Sequence, residues 1–501
     1  MISLTLAEVA AVVGGRLHDT DGTPVITGTV EFDSRRVGAG GLFVALPGAK
    51  VDGHTFAAKA VQDGAAGVLA ARPVGVPAVV VPPLAPGHAH EGAFALTADS
   101  DGSGAAVLVA LAKLARHVVT ELSRGELTVV GITGSSGKTT TKDVIAQLLE
   151  PLGPTVAPPG SFNNELGHPW TALRAGTGTR HLVLEMSARG PGHIAELAEV
   201  APPKIGVVLN VGTAHVGEFG SREAIAKAKG ELVEALPEDG VAVLNLDDPL
   251  VAAMASRTKA RVVGVGESPD AQVRAEDVTL DDQARASFTL VTPDGRAPVT
   301  LPLYGEHQVG NALSAAAVAL ELGSTVAEVA ERLSALERRS LRRMEVTTRA
   351  DGLTVLNDAY NANPESVRAA LKTLASMSKG REGTRSWAVL GVMAELGEDS
   401  VSAHDEIGRL AVRLDIDRLV VVGGAGSAAA PMHHGATQEG SWGEESVLVP
   451  DTGAAIDLLR AEVRPGDVVL VKASNALGLW RVADALLAGQ DAGTETEGGV
   501  S

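Results

Sequence analysis

Cysteine is absent from all 501 residues, which excludes a disulfide framework, a thiolate metal site and a cysteine nucleophile. Positive charge is scarce as well: 42 Lys and Arg stand against 61 Asp and Glu, for a formal net charge of -19. Nucleic acid and anionic membrane surfaces are therefore poor partners, although local basic sites remain able to hold phosphorylated small molecules. The most apolar helical stretch, Ala105 to Val119, is interrupted by Lys113 and Arg116, which leaves no candidate membrane span. Met1 to Ala11 carries no basic n-region of a secretion signal. A cytoplasmic protein without membrane insertion is expected, and no internal repeat is found.

What is present is enough chain for roughly three domains at about 150 residues each. Val-rich strand-like runs alternate with Ala/Leu-rich helical stretches, the pattern of α/β layers with parallel sheets. A passage rich in turn residues, from Pro82-Pro83 to Gly104, and the charged stretch Glu337 to Arg343 divide the chain into residues 1–97, 98–337 and 338–501, with an acidic disordered tail from about residue 490. The expected fold is a small N-terminal α/β domain, a central domain with a P-loop-type parallel sheet, and a C-terminal Rossmann-like α/β domain. Strands are expected at Leu127 to Ile132, His181 to Leu184, Gly206 to Leu209 and Val241 to Leu244 in the central domain. In the last domain they are expected at Leu353 to Leu356, Trp387 to Leu390, Arg418 to Val422 and Asp467 to Val471.

Gly134-Ser135-Ser136-Gly137-Lys138-Thr139-Thr140 follows the first central strand and precedes the helical stretch Lys142 to Glu150. A glycine loop between a buried strand and a helix N-terminus is a phosphate cradle. Backbone N–H groups turn toward the anion, the helix dipole adds positive potential, Lys138 reaches the outer phosphates and the Thr139 hydroxyl suits magnesium. Thr133, Gly134, Ser135, Ser136, Gly137, Lys138, Thr139 and Thr140 are thus expected nucleotide contacts, with ATP as the ligand. The general pattern would place a glycine at Ile132, whereas Gly131 lies one residue out of register. Magnesium ligands belong at strand ends beside such a loop, and Glu185 and His215 occupy such ends, although either alone reads as an ordinary strand-end polar residue. His88, His90, His433 and His434 lie in Gly/Ala/Pro-rich segments without a carboxylate cluster and read as solvated loop histidines.

Thr133-Gly134-x-x-Gly137-Lys138-Thr139 resembles the shorter phosphate loop of the Mur ligases, which build the peptide stem of bacterial cell-wall precursors. Glu185 to Ile194 and Asn210-x-x-x-Ala214-His215 resemble that family's two magnesium segments. The resemblance implies catalytic roles for Lys138 and His215 and two magnesium ions, with Thr139, Glu185 and His215 among their ligands. In Ile225 to Glu231 it implies a lysine carbamylated by carbon dioxide that holds the second ion. That role falls on Lys229, with Lys227 as the alternative; a solvated amphipathic helix is the plain reading of the same residues. Asn245-Leu246-Asp247-Asp248 and Gly305-Glu306-His307-x-x-Gly310-Asn311 resemble segments that contact adenine, so Asn245 and Asn311 join the nucleotide site. Arg343 and Asp358, the latter in Asp358 to Pro364, resemble elements that close over ATP from the last domain. Lys472 is a further candidate there, or a strand cap.

Asp33-Ser34-Arg35-Arg36-Val37, Gly41 to Gly48 and Asp52-Gly53-His54 resemble the UDP-binding domain of this family, which implies substrate contacts at Ser34, Arg35, Gly48, Asp52 and His54. Asn163-Asn164-Glu165-Leu166-Gly167, Asp358 to Pro364 and Val389 to Glu398 resemble the branch that joins D-alanyl-D-alanine to UDP-N-acetylmuramoyl-tripeptide through an acyl phosphate. On that resemblance Asn163, Asn164, Tyr360 and Asn361 are substrate contacts and the substrates are small molecules; a monomer is expected, although the sequence itself does not reveal the oligomeric state. Val392 stands where the family often has Asp. The rival readings are a diaminopimelate- or lysine-adding Mur-type ligase, whose Asp-Asn-Pro-Arg signature is absent, a folylpolyglutamate-type ligase, and a nucleotide-driven switch protein that ligates nothing.

Overall fold

The computed structural model describes residues 1–48, 51–84, 99, 101–213, 216–379, 383–440 and 445–488. His88, His90, His215 and the acidic tail lie outside these residues, as do the side chains of Val216 and Glu218.

Three main sheets organise the chain. The central one has nine strands, in the order Gly295–Tyr304, Arg285–Thr292, Val273–Leu280, Arg261–Gly266, Val241–Asn245, Ile205–Val208, Thr128–Thr133, His181–Glu185 and Thr155–Val156. From Val273–Leu280 to Thr155–Val156 every pairing is parallel, and the two further strands form an antiparallel extension. A parallel sheet is covered on both faces, and alternation along Thr128–Thr133 shows it. Val130 and Ile132 pack with helices Lys138–Leu149, Gln308–Glu321 and Val326–Ser334, while Val129 points into a core shared with helix Ser103–Ser123. The expected strands are present to within a residue or two. The helix after the loop begins at Lys138 itself, four residues before the expected start, because Gly137 supplies a left-handed cap at φ 84°.

The C-terminal sheet runs Glu345–Thr348, Thr354–Asn357, Val468–Lys472, Ser386–Leu390, Arg418–Val422 and Ser446–Val449, parallel except for its first pair. The N-terminal five-stranded sheet runs Arg16–His18, Ala78–Val80, Gly67–Ala70, Leu42–Val44 and Val30–Glu31. It shares its core with Ser103–Ser123, a helix that also touches the central sheet through Leu182 and Leu184. A second seam is aromatic: Trp170 donates to Glu31 at 3.3 Å and lies against Phe32 and Phe162 at centroid distances of 5.6 and 4.7 Å. His433 and His434, expected in a loop, sit on helix Ala430–Glu439, and His433 Nδ1 contacts Ser446 Oγ at 2.9 Å. Among the described residues no helix is long and apolar enough to cross a membrane.

His168, in helix Gly167–Ala172, is fully buried, and its Nε2 has no partner. Burial lowers its pKa to about 4 from an ordinary 6.5, so the folded state holds it neutral. Stability is complete above pH 6.5 and declines as the pH falls toward the folded value. Between pH 7 and 5 wild type should lose about 2 kcal/mol more than His168→Gln in urea unfolding. Equal losses would show that His168 does not titrate in this way.

Candidate active site

The strand Thr128–Thr133 ends where the apolar run ends, and the chain turns at once into the helix from Lys138. Gly137 adopts φ 84°, and a Cβ there would stand 2.5 Å from Asn311 Oδ1, so the loop admits no side chain at this point. Asn210 braces the loop: its Oδ1 accepts from Ser136 N at 3.0 Å and its carbonyl accepts from Ser135 N at 3.1 Å. Asn311 closes the other side, with its Oδ1 accepting from Thr141 Oγ1 at 3.3 Å. Thr133 is buried beneath the loop with an unpartnered hydroxyl.

A cavity of about 530 Å³ opens over this loop and is lined from the central and C-terminal sheets. Lys138 Nζ donates to Gly134 O at 2.6 Å. Its amine is pushed below the usual lysine range, chiefly by burial and further by Arg343, against the opposing pull of Glu185 and Glu395. Glu185 is fully buried at the end of its strand. Its Oε2 accepts from Thr139 Oγ1 at 3.2 Å, Ser161 Oγ at 3.2 Å and Asn163 Nδ2 at 3.4 Å, while Oε1 has no partner. A buried carboxylate oxygen without a donor, beside a threonine hydroxyl, fits a hard cation that takes oxygen ligands. Among the described residues no three His, Asp or Glu side chains cluster as a metal site. Among the described residues, Glu185 and the Thr139 hydroxyl are the oxygen donors that such an ion would meet beside the loop.

Helix Arg222–Glu234 separates the two candidate lysines. Lys229 is 4% exposed, whereas Lys227 faces solvent. Lys229 has its pKa driven well below the ordinary value, first by burial and then by Lys138, with Glu365 opposing. Burial of this kind favours the uncharged amine over the ammonium.

From the C-terminal sheet, Arg343 stacks over Tyr360 at 4.3 Å. Asp358 Oδ2 accepts from Lys472 Nζ at 2.5 Å and its Oδ1 accepts from Met344 N at 3.0 Å, so the carboxylate ties strand Val468–Lys472 to the segment that carries Arg343. Lys472 also donates to Asn361 O at 2.9 Å, which fixes the turn after Tyr360. Helix Pro364–Ser378 then seals the cleft at its N-terminus. Asn363 Nδ2 donates to Ser135 O at 3.1 Å, and Glu365 Oε1 accepts from Thr213 N and Oγ1 at 2.6 and 2.8 Å. A neighbouring cavity of about 480 Å³ contains Asn245, Asn311, Gly305 and Glu267. Asn245 donates to Leu209 O at 2.9 Å there.

Asn163, Asn164, Tyr360, Asn361, Arg343, Asp358, Thr140 and the loop from Ser135 to Thr139 all line the first cavity. Ser34, Arg35, Gly48, Asp52 and His54 do not; they lie on the N-terminal sheet's connections. Arg35 is exposed and pairs with Asp33 at 2.8 Å. His54 is buried, its Nδ1 2.7 Å from Asp52 Oδ1 and its Nε2 accepting from Ala71 N at 3.1 Å, so the ring braces Asp52. Ser161, Asn210, Asn363 and Glu365 are contributors that residue type alone did not single out. Asn363 had a local signal, because Asn before Pro is a helix N-cap signature.

Three family models match the chain: the Mur ligase middle domain over residues 132–319, the Mur ligase glutamate ligase domain over 342–475, and the Mur ligase family catalytic domain over 28–113. The chain is 60% identical to the UDP-N-acetylmuramoyl-tripeptide–D-alanyl-D-alanine ligase of Mycobacterium bovis, over 99% of each chain. Among solved structures it resembles MurF from Acinetobacter baumannii, with a TM-score of 0.81 and 29% identity over 97% of this chain and 99% of that one. It also resembles MurF from Thermotoga maritima in complex with ADP, with a TM-score of 0.74 and 31% identity over 92% and 98%. A phosphate loop braced by Asn210 and Asn311, a buried Glu185 beside it, and near full-length identity to such relatives together establish that this chain belongs to the Mur ligase family.

Proposed function

We propose that this protein uses ATP to join D-alanyl-D-alanine to UDP-N-acetylmuramoyl-tripeptide, completing the pentapeptide precursor of peptidoglycan, as a cytoplasmic monomer. The observation that carries the reading is the cavity itself. It gathers the phosphate loop, the Asn163–Asn164 segment and the Asp358–Asn361 turn around one site, in a chain 60% identical to a ligase of that name. A nucleotide switch protein gives no reason for Arg343, Tyr360 and Asn361 to reach the phosphate loop from a third sheet.

The terminal carboxylate of the tripeptide attacks the γ-phosphorus of ATP, a P–O bond forms as the bond to ADP breaks, and an acyl phosphate results. The amine of D-alanyl-D-alanine then attacks the acyl carbon, phosphate leaves, and the ammonium proton passes to solvent or a nearby base. Lys138 and Arg343 face the transferred phosphoryl group and stabilise its charge, while the loop amides hold the remaining phosphates. Thr139, Glu185 and His215 would hold magnesium, which when bound would neutralise phosphate charge. Asn245 and Asn311 seat the nucleoside, with Asp358 fixing the Arg343 segment. Asn163, Asn164, Tyr360 and Asn361 position the reacting ends of the peptides. Ser34, Arg35, Gly48 and Asp52, braced by His54, hold the UDP end on the N-terminal domain, residues 1–97; residues 98–337 and 338–501 form the other two domains. Lys229, buried in helix Arg222–Glu234, would add carbon dioxide through its amine with loss of one proton, and the resulting carbamate would hold a second magnesium ion.

Given UDP-N-acetylmuramoyl-tripeptide, ATP and magnesium, phosphate release should require D-alanyl-D-alanine, and mass spectrometry should find the pentapeptide. Extension of the UDP-linked dipeptide by diaminopimelate or lysine would instead make this a different member of the family. Lys138→Ala should lower kcat by about 100-fold or more while leaving a folded protein; near-normal turnover would sink the role given to the loop. Lys229→Ala should be nearly inactive and partly restored by short carboxylates, and wild type given isotope-labelled bicarbonate should show a carbamate resonance absent from the variant. Full activity in Lys229→Ala, or a loss confined to Lys227→Ala, would remove Lys229 from the metal site.

A further inference from the structure

The connection between the central and C-terminal sheets is not free along its length. Its first half is pinned to the helix that starts at the phosphate loop, Lys138–Leu149, and to the residue just after it. Asp143 Oδ2 accepts from Ser340 Oγ at 2.5 Å, Gln147 exchanges two hydrogen bonds with the backbone of Glu337 at 2.8 and 2.9 Å, and Glu150 pairs with Arg339 at 2.5 Å. Its second half belongs to the other body. Met344 N is held by Asp358 at 3.0 Å, Arg342 N by Glu345 Oε2 at 3.1 Å, and the Arg342 guanidinium stacks over Trp480 at 3.8 Å. Between the anchors stands Leu341, 70% exposed. Arg342 and Met344 both adopt left-handed backbone, φ 57° and 47°, a conformation non-glycine residues keep only where surroundings enforce it. Arg343, between them, is thereby aimed into the cleft.

The other oxygen of Asp143 faces the substrate side. Asp143 Oδ1 pairs with Lys142 Nζ at 2.6 Å, and that buried lysine donates to Pro158 O at 2.7 Å and Gly160 O at 3.2 Å. These carbonyls open the segment whose Ser161 and Asn163 reach Glu185.

We propose that the Lys142–Asp143 pair is a positioning device for the reaction, fixing the Ser161–Asn163 segment through Lys142 and delivering Arg343 through Asp143 and Ser340, with Leu341 as the pivot. None of these residues touches the reacting atoms. The inference rests on the ligase reading only for the chemistry that it reports.

The test is Ser340→Ala, which removes one hydroxyl from the linker and leaves Lys142 in place, with Ser340→Thr as the variant that keeps the hydroxyl. Ser340→Ala should lower kcat about tenfold with an unchanged KM for the UDP-linked substrate and a thermal midpoint lowered by no more than about 4 °C, and Ser340→Thr should recover most of the lost kcat. In an Arg343→Ala background the same substitution should have almost no further effect, since its action passes through Arg343. Amide exchange of the ligand-free protein should quicken at Leu341 to Met344 in Ser340→Ala. Penalties that multiply in the double variant, or exchange that does not change, would overturn the proposal. A wild type that fails to use D-alanyl-D-alanine would count against the proposed function alone. The cycle would then be read on affinity for a non-hydrolysable ATP analogue, and the exchange result would stand unaltered.

Discussion

Cationic side chains held in a dry place are the constraint from which the site follows. Lys138 and Lys472 lie where burial disfavours their charged forms, and Arg343 lines the same cavity. Lys472 has Asp358 against it at 2.5 Å; Lys138 has only the more distant pull of Glu185 and Glu395. Such a site is incomplete without anions, and it rewards a ligand that brings several at once. In a chain of net charge -19, the local concentration of cations also explains how an acidic protein takes polyphosphate substrates: the field that matters is that of the cleft.

The three sheets serve this constraint in different ways. The central sheet provides rigidity, because the loop leaves a strand buried on both faces and enters a helix packed on Gln308–Glu321. The C-terminal sheet contributes groups from one edge of its strands, and Asn363 and Glu365 tie its helix N-terminus to the loop and to Thr213. The N-terminal sheet touches the rest through apolar and aromatic contacts around Ser103–Ser123 and Trp170.

Local chemistry made much of this readable in the chain. The phosphate loop and its flanking strand and helix are short-range features, set by glycine φ freedom, apolar alternation and a helix start, and they are found where the sequence puts them. Lys227 and Lys229 illustrate the limit: two residues apart in one helix, they differ only in which face is buried, and the tertiary packing of that helix settles it. Asn210 and Glu365 act through partners 74 and 152 residues away, a separation no local pattern encodes. The antiparallel strands Arg285–Thr292 and Gly295–Tyr304 extend a sheet expected to be parallel throughout, and His433 and His434 lie on a helix because Pro431 occupies an early helical position that a proline tolerates. His54, placed among the UDP contacts by resemblance, has both ring nitrogens engaged within its own domain, a pairing that the local motif does not spell out.

The chain contains four tryptophans; one occupies a seam between bodies and another stacks on the linker residue Arg342. Trp170 lies where the N-terminal sheet meets the central one, and Trp480 lies beneath Arg342 at the pivot of the C-terminal body. An indole stacked under a guanidinium emits differently from one released to water, and Trp387, fully buried with its Nε1 bonded to Asp467 at 3.0 Å, supplies a constant background. The enzyme thus carries intrinsic optical probes, and any rearrangement at the Trp170 seam or at the Arg342 linker is open to stopped-flow fluorescence without any attached dye.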